Sequence, residues 1–260
     1  MRLLKLLTNL PGLKRISRSF IRKLLIFINK EVFDINFRGI ILETNIKDPL
    51  DRDIFFDQKY EEQQFTELFV ILDNNKFDFF FDVGANSGIY SLKVSKKYKN
   101  LKIQAFEPIS KTFEKFIRNI KKNNLEKNIE VNNFGLSNKN EKLHITTGVK
   151  FGYSQSAGYS LSNIWKPDDA TASEMAYFKK LDDVFDHKNK KIYIKIDIEG
   201  HEIFALEGMK KLISNNDIFL QVEVWDKNFN SFMKAIKNKG FVFNKKIGSD
   251  YFFKLNSLIL

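Results

Sequence analysis

The chain contains no cysteine and only three histidines. Without thiols there is no disulfide, no thiolate nucleophile and no thiolate zinc site, a composition that fits a reducing compartment. Imidazole can come only from His144, His187 or His201. Long apolar runs are also missing. No stretch approaches the length of a membrane span, and no small-residue cleavage site follows the first apolar residues. The N-terminus is therefore not expected to be a transmembrane helix or secretory signal, and the expected location is the cytoplasm. Acidic residues are missing from one region. Residues 1–30 hold Arg2, Lys5, Lys14, Arg15, Arg18, Arg22, Lys23 and Lys30 but no Asp or Glu, a surplus of eight in a chain of formal charge +11.

Between those charges stand Leu3-Leu4, Leu6-Leu7, Phe20-Ile21 and the run Leu24 to Ile28. Such a basic amphipathic segment suits a helix packed on the body with its basic face in water, or a helix lying on the anionic inner face of a membrane. Nucleic acid is not the favoured partner, because the positive surplus is confined to this segment and no RNA-binding module or aromatic-basic motif is recognisable.

At 260 residues and 43% apolar content, the remainder can bury a sizeable core. Its most informative stretch runs from Phe79 to Gly88, Phe-Phe-Phe-Asp-Val-Gly-Ala-Asn-Ser-Gly. A short β-prone run leads into a turn with Asp82 at its mouth, and Ile89 to Tyr98 reads as a helix. Gly84 and Gly88 allow a tight turn and close approach of a ligand to backbone amides beside a helix start. The spacing, D-x-G-x-x-x-G, departs from the dinucleotide fingerprint. It resembles the first motif of class I S-adenosylmethionine-dependent methyltransferases, although a structural glycine turn would use the same residues. A second strand, Ile103 to Phe106, ends in Glu107-Pro108, nineteen residues beyond Gly88. An acid there can bind ribose hydroxyls, or complement the first turn of a following helix.

A third strand-like run, Ile192 to Ile196, delivers Asp197, Glu199, His201 and Glu202 to its carboxyl end, the edge where open parallel sheets bind ligands. With these pieces in order, the chain resembles the FkbM family of methyltransferases. The likeness rests on Asp82 to Gly88, on Phe106-Glu107-Pro108, and on Lys195 to Glu202 continuing to Leu206-Glu207-Gly208. Gly135-Leu136-Ser137 and Val222-Glu223-Val224 add to it. The resemblance implies a Rossmann-like fold and S-adenosylmethionine as cofactor, with contacts from Asp82, Gly84, Asn86, Gly88, Glu107 and Ser137. It also implies methyl transfer to a hydroxyl of a sugar, polyketide or similar metabolite, as in surface polysaccharide synthesis. An RNA methyltransferase, or a binding protein that keeps the fold without activity, stands as the alternative.

Periodicity supports the same α/β class independently. Phe113, Phe116, Ile117 and Ile120 mark one helical face, and Phe229, Phe232, Met233 and Ile236 another. Strand-like runs near 129–134, 192–197, 218–224, 241–244 and 251–255 complete a mostly parallel sheet with helices on both faces. The last two, split by Gly248-Ser249-Asp250, read as an antiparallel hairpin. Residues 1–76 form an N-terminal basic helical or capping extension, and 77–260 the methyltransferase domain. An insertion at about 146–180 holds Gly148, Gly152, Gly158, Tyr153, Tyr159 and Trp165. It reads as a lid over a polar ring or as a plain hairpin with a flexible tip. Tyr60-Glu61 resembles an aromatic-acid pair that recurs before the family's cofactor domain. A surface helix start accounts for it equally, and it stays outside the catalytic set.

Deprotonating an alcohol needs a base. The candidates are Asp197, Glu199 and His201, with Glu202 and Glu223 nearby. His201 can act with an acid orienting it, or bind the acceptor while Asp197 takes the proton. Glu199 and Glu202 can equally serve the helix start. Lys195, alternating with isoleucines in its strand, needs a carboxylate partner. No metal is assigned, because the ligand spacing is irregular.

Overall fold

A computed structural model describes residues 14–150, 153–154, 160–161 and 171–255. Helix α1 (Lys14–Phe27) is followed by a hairpin of β1 (Val32–Phe37) and β2 (Ile40–Asn45). Its two-residue turn places Arg38 and Gly39 at positive φ, as tight hairpins require. The next helix, α2 (Pro49–Asp57), starts at Lys47-Asp48-Pro49: Asp48 accepts from the amides of Leu50 and Asp51, and proline occupies the first turn. Then comes α3 (Glu62–Asn74), two residues later than the helical pattern beginning at Tyr60 indicates. The hairpin was not anticipated, although Phe33-Asp34-Ile35-Asn36-Phe37 alternates apolar with polar and ends at Arg38-Gly39.

The first half of the main sheet alternates β3 (Phe79–Val83), α4 (Ile89–Lys97), β4 (Lys102–Phe106), α5 (Ser110–Asn123) and β5 (Ile129–Asn132). A second sheet follows, from β6 (Gly135–Leu136), β7 (Glu141–Lys150), β8 (Tyr153–Ser154), β9 (Ser160–Leu161) and β10 (Thr171–Lys179). Strands β7 and β10 pair antiparallel from Phe178 opposite Glu141 to Thr171 opposite Gly148, so the base of the insertion is a hairpin. Gly152, Gly158, Tyr159 and Trp165 lie outside the described residues. The chain then returns through β11 (Lys191–Ile196), α6 (Glu202–Glu207), α7 (Lys210–Asn215), β12 (Asp217–Glu223), α8 (Phe229–Lys237), β13 (Phe241–Ile247) and β14 (Asp250–Leu255).

The main sheet has the order β13-β14-β12-β11-β3-β4-β5. Its five central and edge strands from β12 to β5 are parallel, and β14 and β13 close the other edge antiparallel. The class expected from the alternation is the fold observed. Strand order reverses between β3 and β11, which opens a crevice at their carboxyl ends.

Alternation along the strands divides the core. Phe79, Phe81, Val83, Ile192, Ile194 and Ile196 face the layer that holds Leu206, Met209 and Phe232. Phe80, Tyr193 and Phe252 face the other layer, with Phe116 and Ile120 of α5 and with Phe37, Leu42, Ile54 and Leu68 of the N-terminal extension. The extension thus shares one core with β3, α4, β4 and α5.

Polar contacts strengthen that junction. The Lys115 ammonium on α5 meets both carboxylate oxygens of Asp51 at 2.7 and 2.6 Å, and both side chains are buried. Asn119 accepts from the Glu43 amide, and Asn123 pairs with both backbone groups of Ile41, so side chains from α5 satisfy the edge of β2. Removing one member of a buried ion pair leaves the other charge without compensation. Lys115→Met is therefore expected to lower the unfolding free energy by about 3 kcal/mol, measured by urea denaturation. An unchanged midpoint would show that the pair does not hold the junction.

Candidate functional site

The turn after β3 is fixed from three sides. The Asp82 carboxylate accepts from the Ser91 amide at 3.1 Å and its hydroxyl at 2.6 Å, so the acid at the mouth of the loop caps the first turn of α4. Gly84 has φ +80°, and a Cβ there would stand 1.9 Å from the carbonyl oxygen of Asp197. Gly88 has φ +87°, and its missing Cβ leaves room for the Phe116 ring, 2.0 Å from where that atom would sit. Asn86, also left-handed at φ 51°, donates its amide to Glu107 at 2.9 Å, while its side-chain oxygen accepts from the Ser87 amide.

Glu107, at the end of β4, accepts from the Asn86 amide with one oxygen and from the Ile109 amide with the other. Burial pushes its carboxyl up to about 7 despite these two bonds. It therefore ties the glycine loop to the turn after β4 and retains lone pairs toward the cavity.

Beyond β11 the backbone turns through Glu199 at φ 56° and Gly200 at φ 102°. The buried Glu202 accepts from the Gly200 amide at 2.7 Å and is pushed up to about 7, chiefly by burial. Its position serves the helix start, one of the two roles open to it. His201 is also buried, stacked on Phe204 and edge-on to Phe178. Burial holds its imidazole down at about 4. Its Nε2 lies 3.0 Å from the hydroxyl of the fully buried Ser137.

Lys195 finds the carboxylate partner its strand position demands: its ammonium lies 3.1 Å from Asp197 and 4.4 Å over the Tyr90 ring. Burial works to lower its pKa, but Asp197, Glu61, Asp82 and Asp250 hold it well above the ordinary value. On the neighbouring strand Glu223 accepts from the Ser249 hydroxyl at 2.7 Å and shares a hydrogen bond with Asp197. Burial first, and the Asp197 charge second, push Glu223 up to about 8.

A cavity of about 280 Å³ opens at the switch point, near the small end of metabolite clefts, and Glu202 lies outside its lining. Asp82, Gly84, Asn86, Glu107, Asp197, Glu199 and His201 all reach it. Gly88 and Ser137 are not among its lining residues. Gly88 packs against Phe116, and Ser137 stands behind His201. The N-terminal extension adds Tyr60 and Glu61, which the sequence reading left aside. Glu61 accepts from the Tyr90 hydroxyl at 2.5 Å, and burial raises its pKa. Their signal was an acid beside an aromatic residue at a helix start, a pattern that surface helices share. Glu223 also lines the cavity, as do Ile145 and Phe178 from the base of the insertion hairpin. Among the described residues no group of three His, Asp or Glu side chains is placed to hold a metal ion.

A glycine loop, an acid at the end of the adjacent strand and a cluster of acids across the switch point define a nucleoside-binding transferase of the Rossmann-like class. Residues 82–243 match the Methyltransferase FkbM domain over more than half of the chain, and the chain belongs to that family. A relative from Beauveria bassiana, Methyltransferase 1, is 26% identical over 210 residues, covering 73% of this chain and 79% of the relative. Solved structures with similar folds include an S-adenosylmethionine-dependent O-methyltransferase from Thermotoga maritima. It has a TM-score of 0.47 and 9% identity, over 78% of this chain and 69% of that one. Another is a Pyrococcus abyssi tRNA (uracil-54, C5)-methyltransferase in complex with S-adenosyl-L-homocysteine. Its TM-score is 0.46 at 11% identity, over 86% of this chain and 43% of that one. The family assignment rests on residues 82–243, not on these distant structural likenesses.

The protein is an S-adenosylmethionine-dependent methyltransferase, and its residues fit that cofactor. A Cβ at position 84 would fill the cradle that the loop forms against Asp197. Glu107 offers a carboxylate suited to vicinal hydroxyls, Phe106, Ile109 and Leu136 offer an apolar wall, and the surrounding acids favour a cation. Glu107→Ala is expected to weaken S-adenosylhomocysteine binding by roughly tenfold or more in isothermal titration, the loss of charged hydrogen bonds. Undiminished affinity would remove Glu107 from the cofactor contacts.

The raised carboxyls also make a signed prediction. Glu223 is protonated in the folded protein up to about 8, against a reference of 4.5. Its contribution to stability is therefore full below about 4.5 and is lost as pH rises through about 8. Glu223→Gln keeps a neutral donor toward Asp197. Between pH 5 and 8 the Tm of the native protein should fall relative to that of the variant. Parallel curves would mean that Glu223 titrates at its ordinary value.

Proposed function

We propose that the enzyme is an O-methyltransferase acting on a hydroxyl of a sugar, glycan or related polar metabolite, with a surface-polysaccharide precursor the acceptor we favour. Bound S-adenosylmethionine supplies a methyl group already activated on a sulfonium, so this chain's own task is to orient the acceptor oxygen and remove its proton.

The observation that carries this reading is the Asp197–Glu223 carboxyl pair, which lines the same cavity as the glycine loop. Pushed up to about 8, Glu223 keeps its own proton at neutral pH, and Asp197 beside it on the cavity wall is the carboxyl placed to take the acceptor's. We assign the base to this pair, with Asp197 taking the acceptor proton. His201 suits that role less, because burial depresses it to about 4 and its Nε2 engages Ser137. A neutral imidazole on the cavity wall suits hydrogen bonding to the acceptor, and Glu199 beside it offers another acceptor group.

The lining also bears on substrate class. Among the described residues it carries the acids Glu61, Asp82, Glu107, Asp197, Glu199 and Glu223 against the one ammonium of Lys195. Such a balance favours a neutral, hydroxyl-bearing group and repels a phosphodiester near the reacting end. It speaks against the RNA alternative.

Free sugars, nucleotide-linked sugars and tRNA incubated with methyl-labelled S-adenosylmethionine should give label on a sugar hydroxyl. Label confined to tRNA would overturn the reading. Asp197→Asn is expected to lower kcat by about 10² to 10⁴, the range for loss of a general base. S-adenosylhomocysteine affinity should change by less than about threefold. Equal losses of rate and affinity would give Asp197 a structural role instead.

A further inference from the structure

Helix α1 carries two apolar stripes. One, Ile21 and Leu25, is buried against the body of the protein. Nearby Arg18 is held by both oxygens of Asp57, at 2.5 and 2.8 Å. The other stripe lies in the open: Ile16 is 68% exposed, Phe20 67%, Leu24 47% and Phe27 83%, with Ile28 just beyond at 54%. At 3.6 residues per turn, Ile16, Phe20, Leu24 and Phe27 fall within roughly a quarter of the helix circumference. The helix is thus fixed by one side and presents a continuous apolar ridge on the other. Isolated surface apolar residues need no explanation, but a ridge of two phenylalanines and two aliphatic residues does.

The charge around the ridge identifies what covers it. Lys23 and Lys30 are exposed, and residues 1–30 carry eight basic side chains and no acid. An apolar groove on a protein partner would use the ridge without needing the charge. A nucleic acid would use the charge without the ridge. An anionic lipid surface uses both: acyl chains take up the apolar side chains while headgroup phosphates meet the ammonium and guanidinium groups. No helix among the described residues is long and apolar enough to cross a membrane, so the contact is in the plane of the interface.

We infer that α1 seats the enzyme on an anionic membrane surface, with Ile16, Phe20, Leu24 and Phe27 inserted at the level of the upper acyl chains. This goes beyond the assignment of the reaction and does not depend on which acceptor is methylated. The test is co-sedimentation of the full chain with vesicles of phosphatidylcholine alone and of phosphatidylcholine mixed with phosphatidylglycerol. Partitioning onto the mixed vesicles should be at least about tenfold stronger and should fall as salt is raised. Phe20→Glu combined with Phe27→Glu should abolish it, while S-adenosylhomocysteine affinity and Tm stay unchanged. Lys23→Glu should weaken binding and flatten its salt dependence. Absence of native protein from both vesicle pellets would overturn the inference, as would retained binding by the double variant. It would also fall if light scattering showed a dimer that the double variant splits, without vesicle binding. Binding of tRNA that depends on Lys23 but not on Phe20 and Phe27, without vesicle binding, would reassign the segment to nucleic acid.

Discussion

Lys195 is 3% exposed on the central strand of the sheet, and the surrounding site is organised by the need to neutralise its ammonium. A cation taken out of water at that depth is tolerable only with carboxylates close by. The carboxylates come from four separate parts of the chain: Glu61 before α3, Asp82 on β3, Asp197 beyond β11 and Asp250 at the start of β14. Asp82 stands directly beside Lys195 in the parallel register of β3 and β11. One charge therefore draws the N-terminal extension, the glycine loop, the carboxyl end of β11 and the C-terminal hairpin to the same point. The dependence is mutual, since without the ammonium these acids would repel one another in a low-dielectric setting.

The same demand explains why the extension belongs to the site. Burial raises the pKa of Glu61, which is satisfied by the Tyr90 hydroxyl from α4. Asn119, which accepts from the Glu43 amide on β2, also donates to the Ser87 carbonyl inside the glycine loop. The loop that lines the cavity is thereby braced by residues far away in sequence. Buried amide side chains of this kind restrict movement, because each bond lost would leave a desolvated partner.

Features that repeat locally were legible in the sequence. Phe79 to Gly88 read as strand, turn and helix because β-prone residues end abruptly at glycines, and α5 and α8 read as helices from their apolar period. The closing hairpin was legible from the turn between 247 and 250, where Gly248 does take φ 59°. The need of Lys195 for a carboxylate was also readable, since a lysine among alternating isoleucines has few alternatives. Long-range pairings left no such trace. Nothing in the neighbourhood of Asp51 announces Lys115, and nothing near Glu223 announces its hydrogen bond to Asp197. Tyr60 and Glu61 were visible as a pair but not as a cavity wall, because only tertiary packing carries α3 over the switch point. Ser137 is the opposite case: it stands in a recognisable motif, yet its hydroxyl turns to His201 behind the wall.

The distribution of protons among these groups follows from depth. Glu107 and Glu202 are pushed up to about 7 and Glu223 to about 8, with burial the leading cause in each. Backbone amides oppose the shift at Glu107 and Glu202, so both remain close to half-ionised near neutrality. Glu223 lacks such amides and has a carboxylate as its neighbour, so it keeps its proton longest. Of these, Glu107 and Glu223 line the cavity, which therefore carries less negative charge near neutrality than its acids could supply. A cationic ligand would draw further carboxyls into their ionised form, and a phosphate would drive them toward protonation. Binding of a positive group is thus coupled to proton release from the acids that surround it, at the pH where these carboxyls titrate.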